Sequence, residues 1–187
     1  DNALPLTDGG KAEAYGMVRY EQISVPGGNP RQLAISSYIS RRYRIASDAI
    51  EQLVGAAHST GQQMGLDPLL ILSIIAIESR FNPIAESEMG AKGLMQVMPQ
   101  HHQDKLAEFG GTNAVLDPRT NILIGARILK DCIRRGGGLE AGLQLYAGAF
   151  GDPDSQYAQK VMAERDRMDQ ASRRTGAAGQ ASCCRRG

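Results

Sequence analysis

Residues 66–99 read LDPLLILSIIAIESRFNPIAESEMGAKGLMQVMP, an apolar run that reaches a single acid and passes into a loop rich in glycine and methionine. Asp67 is a favourable helix N-cap, and Pro68 suits the first helical position. Between Pro68 and Glu78 the only polar residue is Ser73. The predicted helix has no polar face, so it must be buried all round.

This helix must end soon after the acid. Pro83 disfavours helical geometry at the residue before it, so we expect the helix to end near Arg80 or Phe81, with Glu78 in its last turn. Burial among aliphatic side chains and the negative end of the helix dipole both disfavour the ionised carboxylate. The sequence therefore predicts a raised pKa for Glu78, which suits a general acid acting on an ether-like bond. The alternative for an isolated glutamate at a helix end is a surface ion pair, here with Arg80.

The residues that follow Glu78 form an extended pattern. The motif E-S-x-F-N-P is followed by Ser87 and then by G-A-x-G-L-M-Q-x-M-P. This order closely resembles the lytic transglycosylase family, whose catalytic domain has a lysozyme-like fold. The resemblance covers roughly residues 50–162 and continues, in the family's order, with Asn121, Ile122, Gly125, Tyr146, Tyr157 and Val161. It implies an all-α, lysozyme-like domain.

The resemblance also implies roles for individual residues. Glu78 would be the single general acid and base, and Ser87 would hydrogen-bond it. The residues that would line the glycan cleft are Gln96, Met98 and Tyr146. The family's Tyr-Asn-Ala-Gly is replaced here by YAGA at residues 146–149, so a side-chain amide that would face the sugar is missing. We therefore expect different glycan contacts near Tyr146.

By the same resemblance, the chain would cleave the β-1,4 bond between N-acetylmuramic acid and N-acetylglucosamine in peptidoglycan. Glu78 would protonate the bridging oxygen and then accept the proton of the sugar's own O6 hydroxyl, which closes on C1 to give a 1,6-anhydro end. A hydrolase like goose-type lysozyme is one alternative, and it would need a second carboxylate, for which Glu86 and Glu88 are nearest. A non-catalytic peptidoglycan-binding module is the other, and the presence of Glu78, Ser87 and Gln96 argues against it.

Composition bounds the remaining functions. The chain has 187 residues, 42% hydrophobic and 22% charged, which suits one packed domain with tails. A net charge of +1 gives no indication of a basic surface for nucleic acid. The longest apolar run is too short for a transmembrane segment, so we expect a soluble protein. Three cysteines suggest no disulfide framework. Adjacent His101 and His102 lack the spacing of paired metal ligands, so we expect no metal and no other cofactor.

Helical periodicity predicts the remaining elements. We expect an irregular arm over residues 1–30, the lysozyme-like domain over 31–172 and a disordered tail over 173–187. The predicted helices are 32–44 (with a strand as the alternative), 48–65, 67–81, 100–109, 117–135, 139–146 and one from about 154 that fades after Met168. The predicted N-caps, besides Asp67, are Asp48 or Ser47, Asp117 and Asp154. Residues 94–98 could add a short helical turn.

The resemblance also suggests where the chain acts. Its partner would be the glycan strands of peptidoglycan, in the periplasm or cell envelope of a bacterium or in a phage virion. The sequence opens without a signal peptide or lipidation motif, so we expect any export signal to have been removed. A monomer is expected, and an assembly partner in a secretion system or a phage particle stays open.

Overall fold

The computed structural model describes residues 29–149 and 151–183, with side chains through residue 173. Within these ranges the chain forms seven α-helices and two short 3-10 helices, and its only β pairing is a pair of isolated bridges. The α-helices are α1 (Pro30–Tyr43), α2 (Ser47–Met64), α3 (Pro68–Glu78), α4 (Gln103–Ala107), α5 (Pro118–Gly136), α6 (Leu139–Tyr146) and α7 (Gln156–Cys183). The predicted all-α class is confirmed, whereas the predicted arm lies almost wholly outside the described residues.

The central helix, α3, is buried as the sequence predicts. Every side chain from Leu69 to Ala76 is buried, and the helix packs between α2 and α7. It ends at Glu78, earlier than expected. Arg80 and Phe81 have φ angles of 53° and 65°, so a left-handed backbone, rather than Pro83, stops the helix.

Two of the predicted caps form as expected. The carboxylate of Asp67 accepts the N–H of Leu69 at 2.9 Å at the start of α3. Asp117 accepts the N–H of Thr120 at 2.8 Å at the start of α5. Both helices carry proline in the first turn, where the missing N–H is not needed.

Two other predicted caps are wrong. No side chain caps α2, whose N-cap residue is Ala46. At the start of α7, Asp152 rather than Asp154 accepts the N–H of Gln156, at 2.7 Å. The N–H of Asp154 also donates to the Asp152 carboxylate, at 3.1 Å, and so closes a tight turn. This turn brings the Asp152 carboxylate over the start of the helix.

The predicted helix over residues 100–109 is interrupted. A 3-10 helix over Pro99–His101 precedes the short α4. His102, with φ −133° and ψ 32°, separates the two because this backbone conformation is not helical. Within the described ranges no helix combines the length and apolarity needed to span a membrane.

The last helix extends beyond the point at which its pattern was predicted to fade. Met168 is fully buried, and α7 continues to Cys183, well into the segment predicted to be disordered. Contacts from α1 hold the part of α7 just past Met168, because Arg31 pairs with Asp169 at 2.8 Å and donates to Ser172 at 3.3 Å. The sequence pattern missed these contacts because they join residues far apart along the chain.

A buried glutamate fastens α1 to α7. Glu164 is 1% exposed and accepts the hydroxyl of Tyr43 at 2.9 Å. Its carboxylate also pairs with Arg42 at 3.1 Å and with Arg167 at 2.7 Å. Burial and the hydrogen bond to Glu164 help to raise the pKa of Tyr43 to about 12, so this hydroxyl stays a donor. These bonds hold the N-terminal part of α7 in a fixed position against α1.

Candidate active site

Glu78 is the last residue of α3 and is half-buried. Burial raises the pKa of its carboxyl group, and the hydrogen bond from Tyr157 partly opposes this by favouring the ionised form. The predicted direction of the pKa shift is therefore confirmed. Among the described residues Glu78 forms no ion pair, so the alternative of a surface pair with Arg80 does not hold.

The hydroxyl of Tyr157, in the first turn of α7, donates to Oε1 of Glu78 at 2.5 Å. Burial, followed by the charge of Glu78, raises the pKa of Tyr157, so the phenol keeps its proton. From the sequence, Tyr157 was recognised only as one of the residues that resemble the family. Nothing local in the sequence indicates the pairing, because the two residues lie 79 positions apart.

Ser87 does not hydrogen-bond Glu78, contrary to the expectation. Its hydroxyl oxygen accepts the N–H of Ala91 at 3.0 Å, and its own N–H donates to the carbonyl of Ala91 at 2.9 Å. These two bonds close the loop that follows Phe81. Ser87 therefore shapes the loop, and the proton donor to Glu78 comes from another helix.

The loop carrying the G-A-x-G-L-M-Q motif is a tight turn rather than the helical turn that was considered. Lys92 and Val97 form an antiparallel bridge across it. Gly93 and Gln96 have φ angles of 76° and 48°, which exclude a right-handed helix. The amide nitrogen of Gln96 donates to the carbonyls of Ala85, at 3.2 Å, and Gly93, at 3.0 Å, so it is engaged within the loop.

Asn121 in α5 anchors this loop, a role that the sequence analysis did not recognise. It is fully buried, and its side-chain oxygen accepts the N–H of Met95 at 2.8 Å. Its amide nitrogen donates to the carbonyls of Lys92 and Val115, each at 2.9 Å. A Cβ at Gly93 would lie 2.3 Å from that nitrogen, so the turn has no room for a side chain. The available signal in the sequence was that Asn121 belongs to the pattern that resembles the family.

Met95 is the point at which the loop meets both α5 and α6. Its side chain is fully buried and lies so close to Gly125 that a Cβ there would be 2.6 Å from the sulfur. Its carbonyl accepts the hydroxyl of Tyr146, at the end of α6, at 2.7 Å. Burial and, next, the charge of Glu78 raise the pKa of Tyr146 well above its ordinary value. Tyr146 therefore lies within electrostatic range of the acid and stays protonated.

The other predicted site residues lie around this cluster. Met98 is half-buried directly after the turn. Ala147, which stands where the family has asparagine, is exposed at the end of α6. The two candidate second carboxylates are exposed, and Glu86 pairs with Lys92 at 3.1 Å. Neither Glu86 nor Glu88 contributes to the pKa shift of Glu78.

Comparisons with known proteins show which family this chain is similar to. The family described as the transglycosylase SLT domain matches residues 56–168. The transglycosylase of Enterobacteria phage PRD1 is 36% identical over 116 residues, which are 59% of this chain and 41% of that protein. The endo-type membrane-bound lytic murein transglycosylase A of Klebsiella pneumoniae is 37% identical over 84 residues, which are 42% of this chain and 41% of that protein. The chain thus spans about two fifths of the length of these two relatives.

A solved structure shows the same fold. The X-ray structure of an inactive mutant of the lytic transglycosylase Slt from Pseudomonas aeruginosa superposes with a TM-score of 0.55. It is 24% identical in sequence and covers 62% of this chain and 24% of that one. The likeness confirms the lysozyme-like helical fold. Since the family match spans more than half of the residues, this chain belongs to the transglycosylase SLT domain family.

Proposed function

We propose that this chain is a peptidoglycan lytic transglycosylase in which Glu78 is the single general acid and base. The observation that carries the proposal is the environment of this carboxyl group, which ends an apolar helix, has a raised pKa and accepts a hydrogen bond from Tyr157. A carboxylic acid that stays neutral can protonate a glycosidic oxygen. The matched relative from Klebsiella pneumoniae is named a lytic murein transglycosylase, which supports peptidoglycan as the substrate.

In the proposed reaction, Glu78 gives its proton to the oxygen that joins N-acetylmuramic acid to N-acetylglucosamine. The bond from C1 to that oxygen breaks, and the departing sugar keeps the proton as a hydroxyl group. The carboxylate that remains is stabilised by Tyr157, because this hydrogen bond favours the ionised form. Glu78 then takes the proton of the muramic acid O6 as O6 bonds to C1, which leaves a 1,6-anhydro ring and returns the acid to its starting state.

The isolation of Glu78 supports attack by O6 rather than by water. Hydrolysis normally uses two carboxyl groups about 5 Å or about 6.5–9.5 Å apart. Glu86 is exposed and ion-paired with Lys92, Glu88 is exposed, and neither influences the pKa of Glu78. The O6 hydroxyl is tethered to the reacting carbon, so its effective concentration exceeds that of an unactivated water molecule.

Around the acid, we propose that Gln96, Met98 and Tyr146 line the glycan cleft within a catalytic domain of residues 31–172. The buried contacts of Asn121 and Met95 support this because they fix the loop on which Gln96 and Met98 lie. Exposed Ala147 offers the sugar no side-chain amide, so we expect the glycan contacts beside Tyr146 to involve backbone groups or the tyrosine ring.

The proposed setting is the bacterial envelope or a phage particle. One matched relative is a phage protein, which supports the phage setting, and another is described as membrane-bound, which supports the envelope. In either setting the chain would act on glycan strands as a monomer.

The replacement Glu78→Gln tests the assignment. Glutamine keeps the size of the side chain and can still accept the hydrogen bond from Tyr157, but it has no proton to transfer. We expect cleavage of purified peptidoglycan to fall about 100-fold or more, with an unchanged thermal midpoint. Residual activity above roughly one tenth of the wild-type rate is more than the loss of a sole general acid permits, and would contradict the assignment.

A further inference from the structure

A groove of about 820 Å³ lies between α1, the end of α3 and α7, and the proposed reaction does not use it. Its cationic side chains are Arg42, Arg80, Lys160 and Arg167, and its only carboxylate is Glu164. The net charge of the chain is +1, so this concentration of positive charge is local. Such a groove attracts anions.

Two of the four cations have no partner in the part of the chain that the structure describes. Glu164 is buried and forms ion pairs with Arg42 and Arg167. Its carboxylate therefore neutralises these two cations and not the other two. The side chains of Arg80 and Lys160 are exposed and form no ion pair or hydrogen bond with any described residue. These two side chains are therefore available to an anionic ligand.

The groove lies next to the segments that carry the proposed acid and its hydrogen-bond donor. Ile77 and Gln156, which line it, directly precede Glu78 and Tyr157 in the chain. Arg80 takes its place in the lining through a left-handed backbone with φ of 53°, a conformation that is uncommon for a residue other than glycine. The other wall comes from α1, which lies outside the part of the chain that matches the family.

We propose that this groove binds the carboxylate-bearing stem peptide that is attached to muramic acid in peptidoglycan. The inference rests on the proposed function, since it assumes that muramic acid is bound at Glu78. The stem is a short peptide, and an extended peptide spans about 3.3 Å per residue, so a stem that leaves the sugar at Glu78 can follow the groove along α7. Arg80 and Lys160 pair with its carboxylates, and exposed Gln156 offers an amide to its backbone.

The double variant Arg80→Gln/Lys160→Gln tests this inference, because neither side chain supports the fold. Its matched control is Arg119→Gln/Arg135→Gln, which removes the same charge from exposed positions on α5. The substrates are glycan strands with intact stem peptides and the same strands stripped of stems by an amidase. On strands with stems, we expect kcat/KM of the groove variant to be roughly threefold to tenfold lower than that of the wild type. This difference should be smaller at high salt, because salt screens the charges. On stripped strands, both variants should match the wild type.

Equal loss on both substrates, or no loss on strands with stems, would overturn the inference. A second readout, binding measured by titration calorimetry, does not depend on activity. A muropeptide should bind the groove variant more weakly than the wild type, whereas the peptide-free disaccharide should bind both alike. If the wild type cleaves neither substrate, the proposed function fails and this titration still decides the inference. If inorganic phosphate displaces the bound muropeptide but the free stem peptide does not, the groove is a phosphate site. That result would also overturn the inference.

Discussion

The hydrogen bond from Tyr157 to Glu78 makes a prediction that separates chemistry from packing. Tyr157→Phe removes one oxygen atom and keeps the ring, which lies on the inward side of α7. In the wild type this bond stabilises the carboxylate, the form that Glu78 takes after it has given up its proton. Its loss should therefore slow cleavage and also make the carboxyl group harder to ionise.

The size of the effect follows from the type of bond. A hydrogen bond to a charged group contributes about 1.5–3 kcal/mol, and each 1.4 kcal/mol or so changes a rate about tenfold. We expect the maximal rate of Tyr157→Phe to fall roughly tenfold to a hundredfold. Because the bond lowers the pKa of Glu78, its removal raises that pKa further. The general acid then stays protonated to higher pH, so the alkaline limb of the pH–rate profile should move to higher pH.

The assay is the rate of solubilisation of purified peptidoglycan across the pH range, with Tyr146→Phe as the matched control. The Tyr146 hydroxyl donates to the carbonyl of Met95 and not to Glu78, so its loss should leave the alkaline limb in place. An alkaline limb of Tyr157→Phe that is unmoved or shifted to lower pH would refute the reasoning, even if the rate falls. A fall in rate alone would indicate only a disturbed structure.

Three further predictions concern the loop, the second carboxylate and the C-terminal end. Asn121→Ala leaves the Val115 carbonyl and the Met95 N–H unpaired in the interior, whereas the Lys92 carbonyl keeps the N–H of Val97; it should lower the free energy of unfolding by about 2–3 kcal/mol, as measured by urea denaturation, and a loss below about 1 kcal/mol would mean that water replaces the amide. Glu86→Gln/Glu88→Gln should cleave peptidoglycan at the wild-type rate, and a large loss would favour a hydrolase with two carboxylates. Deletion of residues 174–187 should leave the thermal midpoint and the activity nearly unchanged, because Ser172 is the last buried residue described; a fall of several degrees would show that the end of α7 docks.

Features that depend on neighbouring residues could be predicted from the sequence. The aspartate and proline pairs that begin α3 and α5 act within one turn, so the starts of both helices were correct. The burial of α3 follows from its lack of any polar face. The raised pKa of Glu78 follows in turn from that burial, which is its main physical cause.

Features that depend on tertiary contacts could not be predicted. The donor to Glu78 comes from α7, and Asn121 reaches the loop from α5, so both pairings require the packed structure. Ser87 was assigned to Glu78 by resemblance, but its hydroxyl is bonded within its own turn. The contacts from α1 that hold α7 just past Met168 also join residues far apart in the chain, and the apolar pattern there is weak.

The most direct test of the central claim is the identity of the ends that the wild-type protein leaves on purified peptidoglycan. If Glu78 acts alone and O6 closes on C1, mass spectrometry should find muropeptides lighter by one water than those made by a lysozyme. A colorimetric assay should then find no new reducing ends. Reducing ends formed in proportion to cleavage would contradict the account and would point to Glu86 or Glu88 as the base that activates water.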